Sequence, residues 1–192
     1  MARRWSLRLL IGVLAGVTLL SGCAEKQPAN ESLPSASASP TEEELPPLGP
    51  EDLPMPAEAR TQDAAGAEAF VRYYIALINR TSDVMDAQPL REFSDGCEDC
   101  NRIASSTEED AANGLHYEDG LLSITSMGEP RLEGDRAEIA FFADQARLQV
   151  VDAAGSVNEE MSSEAFADVS CGAAMRWNSE LATWVMTVLT LG

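Results

Sequence analysis

Three cysteines and a histidine are the residues of this 192-residue chain whose types could do chemistry together. Cys97 and Cys100 are separated by two residues, Cys171 lies far downstream, and His116 is the one histidine of the sequence. Such a set is compatible with a Cys97–Cys100 disulfide, a bridge from Cys171 to either of these cysteines, a redox Cys-x-x-Cys pair, or a Cys₃His zinc site. The compartment of the protein decides among these interpretations.

The N-terminal residues 1–22 have the organisation of a secretory signal peptide. Three arginines precede the apolar stretch Leu9–Leu20, whose 12 residues are fewer than the roughly 20 that a membrane-spanning helix needs. The stretch ends in Leu20-Ser21-Gly22-Cys23, which resembles the lipobox of bacterial lipoproteins. The resemblance implies that residues 1–22 are removed, that Cys23 is lipidated, and that the protein is held on the extracellular face of the bacterial cell membrane. Two or more acyl chains suffice for such an anchor.

An extracellular location favours the Cys97–Cys100 disulfide, because disulfides persist outside the cell. Cys171 is then a buried free thiol, with a bridge from Cys171 to the helix as the alternative. A redox role is less favoured because Asp95-Gly96, rather than a strand, precedes the pair. Zinc is less favoured because the second pair of ligands is not closely spaced. We therefore expect no metal and no cofactor, and we expect His116 to be a surface or turn residue.

Known catalytic motifs are missing from the sequence. It contains no Gly-x-Ser-x-Gly, no Gly-x-Gly-x-x-Gly and no phosphate-binding loop. Carboxylates are so frequent that no catalytic pair stands out. The acidic clusters Glu108-Glu109-Asp110 and Glu159-Glu160 lack the spacing of a calcium-binding loop and are interpreted as solvated surface. The sequence therefore predicts no catalytic residues and favours a protein that is not an enzyme.

The chain is strongly acidic, with a net charge of −19. Removal of the signal peptide takes away three arginines and leaves 10 Lys and Arg against 32 Asp and Glu, a net charge of −22. Such a chain repels nucleic acid and anionic lipid headgroups, which are bound by clustered cations. The charge favours solubility and cationic partners.

Composition divides the mature chain into a tether and one domain. Residues 23–57 contain eight of the ten prolines together with serines and the run Glu42-Glu43-Glu44. Proline lacks a backbone donor, and the segment has few apolar residues to bury, so we expect a disordered linker. Residues 58–192 are enough to bury a core of their own.

The domain is predicted to be α+β, with N-terminal helices packed on a curved antiparallel sheet. Apolar residues recur at helical spacing after the capping residue Asp63, and a period of two takes over after Gly114. The predicted helices cover residues 64–79, 88–93 and 98–113. The predicted strands cover residues 121–127, 136–151, 167–178 and 183–191, the last two forming a hairpin.

Several motifs resemble an uncharacterised domain family of actinobacterial lipoproteins over residues 57–192. They are Ala69-Phe70-Val71-Arg72-Tyr73-Tyr74, Pro89-Leu90-Arg91, Cys97-Glu98-Asp99-Cys100 and Gly114-Leu115-His116-Tyr117-Glu118-Asp119-Gly120. The order of elements is similar to the nuclear transport factor 2-like, or cystatin-like, cone. Such cones can enclose an apolar pocket between helices and sheet, for which the candidate lining residues are Phe70, Tyr74, Trp177 and Trp184.

These observations predict a lipid-anchored surface protein whose domain binds or scaffolds a partner without catalysis. The partner could be an envelope protein, a peptide or a small apolar molecule, and nucleic acid is not expected. The alternative is an enzyme or small-ligand carrier that uses the apolar pocket of the cone. No oligomeric state follows from the sequence.

Overall fold

A computed structural model of the chain describes residues 45–192. The predicted signal peptide, the predicted lipidation site Cys23 and the predicted linker as far as Glu44 lie outside the described residues. Within the described residues, no helix is both long enough and apolar enough to cross a membrane.

The helices precede the sheet in the chain, as predicted. A short 3₁₀ turn, Ala57–Arg60, is followed by α1 (Ala64–Val84), α2 (Gln88–Glu92) and α3 (Glu98–Ala112). The Asp63 side chain caps α1 by accepting a hydrogen bond from the Gly66 backbone N–H at 2.7 Å. Helix α1 runs five residues beyond the predicted end and stops at Met85, whose φ of 56° is left-handed. Pro89 lies in the first turn of α2, where it costs no hydrogen bond.

Seven strands follow, and all of their pairings are antiparallel. The main sheet has the order β2-β4-β6-β7, with β3 added to β4, and β1 pairs with β5 in a separate two-stranded sheet. The strands are β1 (His116–Asp119), β2 (Leu122–Met127), β3 (Arg131–Glu133), β4 (Arg136–Gln145), β5 (Leu148–Val151), β6 (Phe166–Asn178) and β7 (Thr183–Leu191).

The single strand predicted over residues 136–151 is wrong in one respect, because the chain changes sheets at Ala146-Arg147. The Ala146 N–H donates to the Leu121 carbonyl, and the Arg147 carbonyl accepts from the Gly120 N–H, each at 2.9 Å. These bonds end β4 and direct β5 to pair with β1. The contact is between segments about 26 residues apart, so the local pattern does not contain it.

The predicted hairpin of β6 and β7 is confirmed, with Trp177 opposite Trp184. The inner face of β6 carries Cys171, Ala173 and Met175, all buried. The alternation of the sequence places Ala167 on the same face, but this residue is exposed. The positive φ of Asp168 breaks the alternation of side chains between Ala167 and the rest of the strand.

Helix α1 packs against the inner face of the main sheet and forms the core with it. The β7 edge is covered by the segment between α2 and α3. There the Met186 N–H donates to the Phe93 carbonyl, and the Asp95 N–H donates to the Met186 carbonyl, each at 2.8 Å. This pairing covers the β7 edge at Met186, where an open strand edge would otherwise favour aggregation.

The predicted linker of residues 23–57 extends too far, because residues 45–57 belong to the same structural unit as the domain. Met55 is buried in the core, and Leu53 packs against it. Arg60 donates to the Pro46 carbonyl at 2.6 Å and to the Leu181 carbonyl at 3.0 Å, which ties the segment to the β6–β7 hairpin. The apolar residues between the prolines are few, but burying them is enough to fix this segment.

Candidate binding groove

The aromatic residues predicted to line a pocket lie in the core. Phe70, Tyr74 and Trp184 are 0% exposed, and Trp177 is half-buried. Phe70 packs on Tyr74 with ring centroids 6.0 Å apart, and Trp177 meets Trp184 edge to face at 5.4 Å. The structure therefore brings the four residues together in two pairs, and none of them lines either groove described below.

The polar atoms of these buried rings are already bonded within the domain. The Tyr74 hydroxyl donates to the Leu90 carbonyl at 3.0 Å, and the Trp184 indole N–H donates to the Thr61 carbonyl at 3.0 Å. Burial raises the pKa of Tyr74 to about 12. Neither ring has a free donor with which to orient a ligand.

Cys97 and Cys100 form a disulfide at the start of α3, and both residues are buried. Because these two cysteines pair with each other, the alternative bridge from Cys171 is not formed. Cys171 is a buried free thiol, and burial raises its pKa. His116 begins β1 and is largely exposed. Within residues 45–192, no three His, Cys, Asp or Glu residues are placed to hold a metal ion.

A concave surface lies between α1, β1 and the N-terminal segment, and we call it the α1–β1 groove. Its volume is about 550 Å³. The lining residues come from the N-terminal segment (Asp52, Leu53), from α1 (Ala76, Asn79, Arg80, Ser82, Asp83) and from β1 with the loop that follows it (Tyr117, Asp119, Leu121). Three parts of the chain that are distant in sequence thus build one site.

Arg80 is the cation of this groove, and two carboxylates hold it. Its Nε lies 2.8 Å from the Asp52 carboxylate and its Nη1 lies 3.2 Å from that of Asp86. The Arg80 hydrogen bond lowers the pKa of Asp52. The Arg80 side chain is only 16% exposed. The Asp52 pair fastens the N-terminal segment to α1, and the Asp86 pair holds the guanidinium against the residues that follow the helix.

Three neutral polar side chains of the groove are also engaged. The Asn79 amide donates to the Leu122 carbonyl and accepts from the Leu122 N–H, each at 2.9 Å. The Ser82 hydroxyl donates to the Ile78 carbonyl at 3.2 Å. The Tyr117 hydroxyl donates to the Asp110 carboxylate, and burial, with the help of this bond, raises the pKa of Tyr117 well above its ordinary value.

Asp83 and Asp119 differ from the other polar residues of the groove. Both are exposed, and within the described residues neither carboxylate has a hydrogen-bond or ion-pair partner. Asp119 has a φ of 60°, a conformation that Asp and Asn tolerate better than most residues. The exposed charged groups that the groove offers to a ligand are therefore two carboxylates, which only accept hydrogen bonds.

A second, shallower groove of about 430 Å³ lies on the outer face of the main sheet. Its floor is made of small residues of β4 and β6, namely Ala140, Gly172 and Ala174. Val188 forms one side of it, and Glu129, Arg131 and Glu138 lie at its rim. This outer groove is an internal control for the α1–β1 groove, because both are concave surfaces of the same domain.

Sequence reasoning did not identify the α1–β1 groove. The helical spacing of Ala76, Asn79, Arg80 and Asp83 places them on one face of α1, and that polar face could have been found from the sequence. The contributions of Tyr117 and Asp119 could not, because β1 is short and polar and its position beside α1 is a tertiary contact.

The chain belongs to the family of unknown function DUF6318, whose family model matches residues 50–189. The match begins inside the N-terminal segment that the structure shows packed on the domain. No curated protein sequence matches the chain.

Several solved structures resemble the chain at low identity. The intermembrane space region of the chloroplast protein ARC6 has a TM-score of 0.44 at 18% identity, covering 68% of this chain and 97% of that one. A variant designated Rd1NTF2_05 has a TM-score of 0.36 at 11% identity, with coverages of 66% and 99%. Aln2 from a Streptomyces species has a TM-score of 0.38 at 10% identity, with coverages of 68% and 93%. At these values the likenesses support no inference about function.

Proposed function

We propose that this protein is a lipid-anchored protein of the extracellular face of a bacterial cell membrane, and that its domain is a non-catalytic binding module. The lipobox-like motif that ends at Cys23 supports the anchor. The motifs quoted above favour an actinobacterial lipoprotein, with the proline-rich residues 23–44 as the tether. In this proposal, the α1–β1 groove is the surface that meets a partner in the cell envelope.

One observation favours a groove over an interior pocket. Three of the four aromatic side chains that an apolar ligand would have to contact, Phe70, Tyr74 and Trp184, are fully buried, and the polar atoms of Tyr74 and Trp184 are bonded within the domain. The α1–β1 groove, by contrast, is open and presents two carboxylates without partners among the described residues. A module that binds at its surface agrees with both facts, whereas the alternative, an enzyme or small-ligand carrier that uses an apolar pocket of the cone, needs an interior opening beside these rings.

The anchor is tested by expressing the full chain in bacteria that are fed an alkyne-bearing palmitate analogue. We expect the wild-type chain to be labelled and to sediment with membranes. The Cys23→Ala variant should carry no label. Equal labelling of the two chains would disprove lipidation at Cys23.

The binding surface is tested by photocrosslinking on intact cells, with benzoylphenylalanine introduced at Leu121 or at Val188 in the full chain. The two positions are equally exposed, at 53% each, but Leu121 lines the α1–β1 groove and Val188 lines the outer groove. We expect a protein identified by mass spectrometry to be captured reproducibly from Leu121 and not from Val188. The opposite preference, or no capture from Leu121, would overturn the assignment of this groove.

A further inference from the structure

We infer that the α1–β1 groove binds a short peptide segment that carries lysine or arginine, with the cation received by Asp83 and Asp119. This inference rests on the proposed function, because it assumes that the groove is the binding surface and adds the chemistry of what it binds. Three properties of the groove support it: the hydrogen-bonding capacity that is left, the charge and the apolar residues.

The remaining hydrogen-bonding capacity selects a donor. The polar side chains that use their atoms within the domain are Arg80, Asn79, Ser82 and Tyr117. The exposed charged groups of the groove without a partner among the described residues are the carboxylates of Asp83 and Asp119, which accept and cannot donate. An ammonium or guanidinium group supplies several donors and no acceptor, so it matches these exposed carboxylates. A carboxylate or phosphate would meet their like charge, and the cation that lines the groove, Arg80, is only 16% exposed and is paired with two carboxylates.

Charge selects the same class of ligand. The groove is lined by three aspartates and one arginine, and that arginine is held by two carboxylates. Residues 45–192 carry nine arginines and no lysine against 27 Asp and Glu, a net charge of −18. A concave surface of net negative charge within such a field concentrates cations. A cation is therefore attracted to the groove and an anion is repelled from it.

The shape of the groove suits side chains with apolar stems. Leu53, Ala76 and Leu121 give it apolar contacts beside the carboxylates. Lysine and arginine have methylene stems that pack on such residues while the charged group reaches a polar partner. The α1 wall from Ala76 to Asp83 is about 10 Å long at about 1.5 Å per residue, which is the span of about three residues of extended peptide.

The experiment measures binding of a fluorescent trilysine peptide, acetylated and amidated, to the full chain in detergent micelles. The test variant is Asp83→Asn with Asp119→Asn, which keeps side-chain size and the tolerated backbone conformation of residue 119. The matched control is Glu129→Gln with Glu138→Gln, which removes the same charge at the outer groove. Fluorescence anisotropy at low salt gives the Kd of each chain.

We expect the Kd for trilysine to rise about five- to tenfold in the Asp83→Asn/Asp119→Asn variant, because two exposed charge contacts are lost. The Glu129→Gln/Glu138→Gln control should change the Kd less than about twofold. Triglutamate should not bind. Equal weakening in the two double variants would mean attraction to the acidic surface in general, and it would overturn the inference.

Spermidine, which has the same charge as trilysine, separates a peptide from a small amine. We expect it to compete less well, because it lacks the peptide backbone and offers less surface to the apolar contacts. Equal competition would overturn the peptide part of the inference.

Failure of the proposed function can be distinguished from failure of this inference. If Leu121 captures no partner on cells, the groove is not the binding surface, whatever trilysine does. If capture from Leu121 persists at full yield in the Asp83→Asn/Asp119→Asn background, the groove binds its partner without a cation, and only this inference fails.

Discussion

The two faces of α1 differ in what they contact and in what can be changed without loss of the fold. One face carries Phe70, Tyr74 and Leu77, which are fully buried against the sheet. The other carries Asn79, Arg80 and Asp83, which line the α1–β1 groove. Both sets follow the helical repeat, so a single helix supports the core and positions the site.

Burial explains why the two faces have different roles. Apolar side chains removed from water contribute free energy in proportion to their area, so the core face contributes most to the stability of the fold. Polar side chains in an open groove contribute little to stability, since water competes for the same bonds. The groove face is therefore where residues can be selected for binding. Four predictions test this division, from the largest expected effect to the smallest.

Replacing Phe70 with alanine should have the largest effect on stability. The ring is fully buried, so we expect the free energy of unfolding to fall by about 3–5 kcal/mol. Urea unfolding monitored by tryptophan fluorescence measures it. Phe142→Ala is the matched control, because that ring is 46% exposed on the outer face of the sheet and its loss should cost less than about 1 kcal/mol. Similar costs for the two variants would mean that Phe70 faces an opening instead of the core.

The alkaline limit of stability should also depend on the core face. Burial raises the pKa of Tyr74 from 10.0 to about 12, so the folded chain keeps the phenol proton after the unfolded chain has lost it. The contribution of the neutral Tyr74 side chain to the free energy of unfolding is complete below pH 10. It is lost as the pH rises from about 10 to about 12, by at most about 1.4 kcal/mol per pH unit.

The measurement is the free energy of unfolding in urea at several pH values from about 8 to about 11, a range that includes the unfolded pKa. In Tyr74→Phe, the free energy of unfolding should decline less steeply as the pH rises. The variant should also be less stable at neutral pH, because it loses the hydrogen bond to the Leu90 carbonyl. Tyr73, whose pKa is likewise raised to about 12 by burial, and Tyr117, whose pKa is also raised by burial, keep part of the slope in that variant. An unchanged slope in Tyr74→Phe would contradict the assignment of the effect to the core face.

Sequence patterns predicted the helices and strands that are determined by residues close to one another in the chain. Asp63 caps α1 as expected, and the alternation in β6 and β7 predicted a hairpin whose β7 bounds match the structure. The chain turns that the patterns did not predict depend on distant contacts. The switch of β5 to its partner β1 is fixed by backbone bonds at Gly120 and Leu121, and no property of residues 146–151 alone indicates it.

The candidate site was harder to predict than the fold. Aromatic residues suit a core and a pocket equally well, so the types of Phe70, Tyr74 and Trp184 did not reveal that they are fully packed. The groove, by contrast, depends on which polar groups are already bonded. That Asn79 is occupied by Leu122, while Asp83 has no partner among the described residues, is a fact of tertiary structure. Sequence composition indicated a cationic partner, but it could not locate the carboxylates.

Asn79→Ala tests the part of the groove face that does support the fold. The Asn79 amide exchanges two hydrogen bonds with the Leu122 backbone at the start of β2. The variant leaves the partly buried N–H and carbonyl of Leu122 without their partner. We expect a loss of about 1–2 kcal/mol in urea unfolding. Ser82→Ala is the control, since it removes only a bond to the preceding helical turn and should change stability by less than about 0.5 kcal/mol. Equal effects would mean that Asn79 does not hold β2 against α1.

The Asp83→Asn/Asp119→Asn variant should show the smallest effect on stability, within about 0.5 kcal/mol of the wild-type chain. Neither carboxylate has a partner within the described residues, and asparagine is at least as well accommodated as aspartate at the φ of 60° found at residue 119. Urea unfolding in the same buffer as the trilysine titration measures both properties on one sample. A loss of several kcal/mol would place these carboxylates among the groups that hold the fold, and the weaker trilysine binding would then report damage to the domain. An unchanged stability with a higher Kd would instead assign the two faces of α1 to separate roles, because the same helix would lose its ligand without losing its packing.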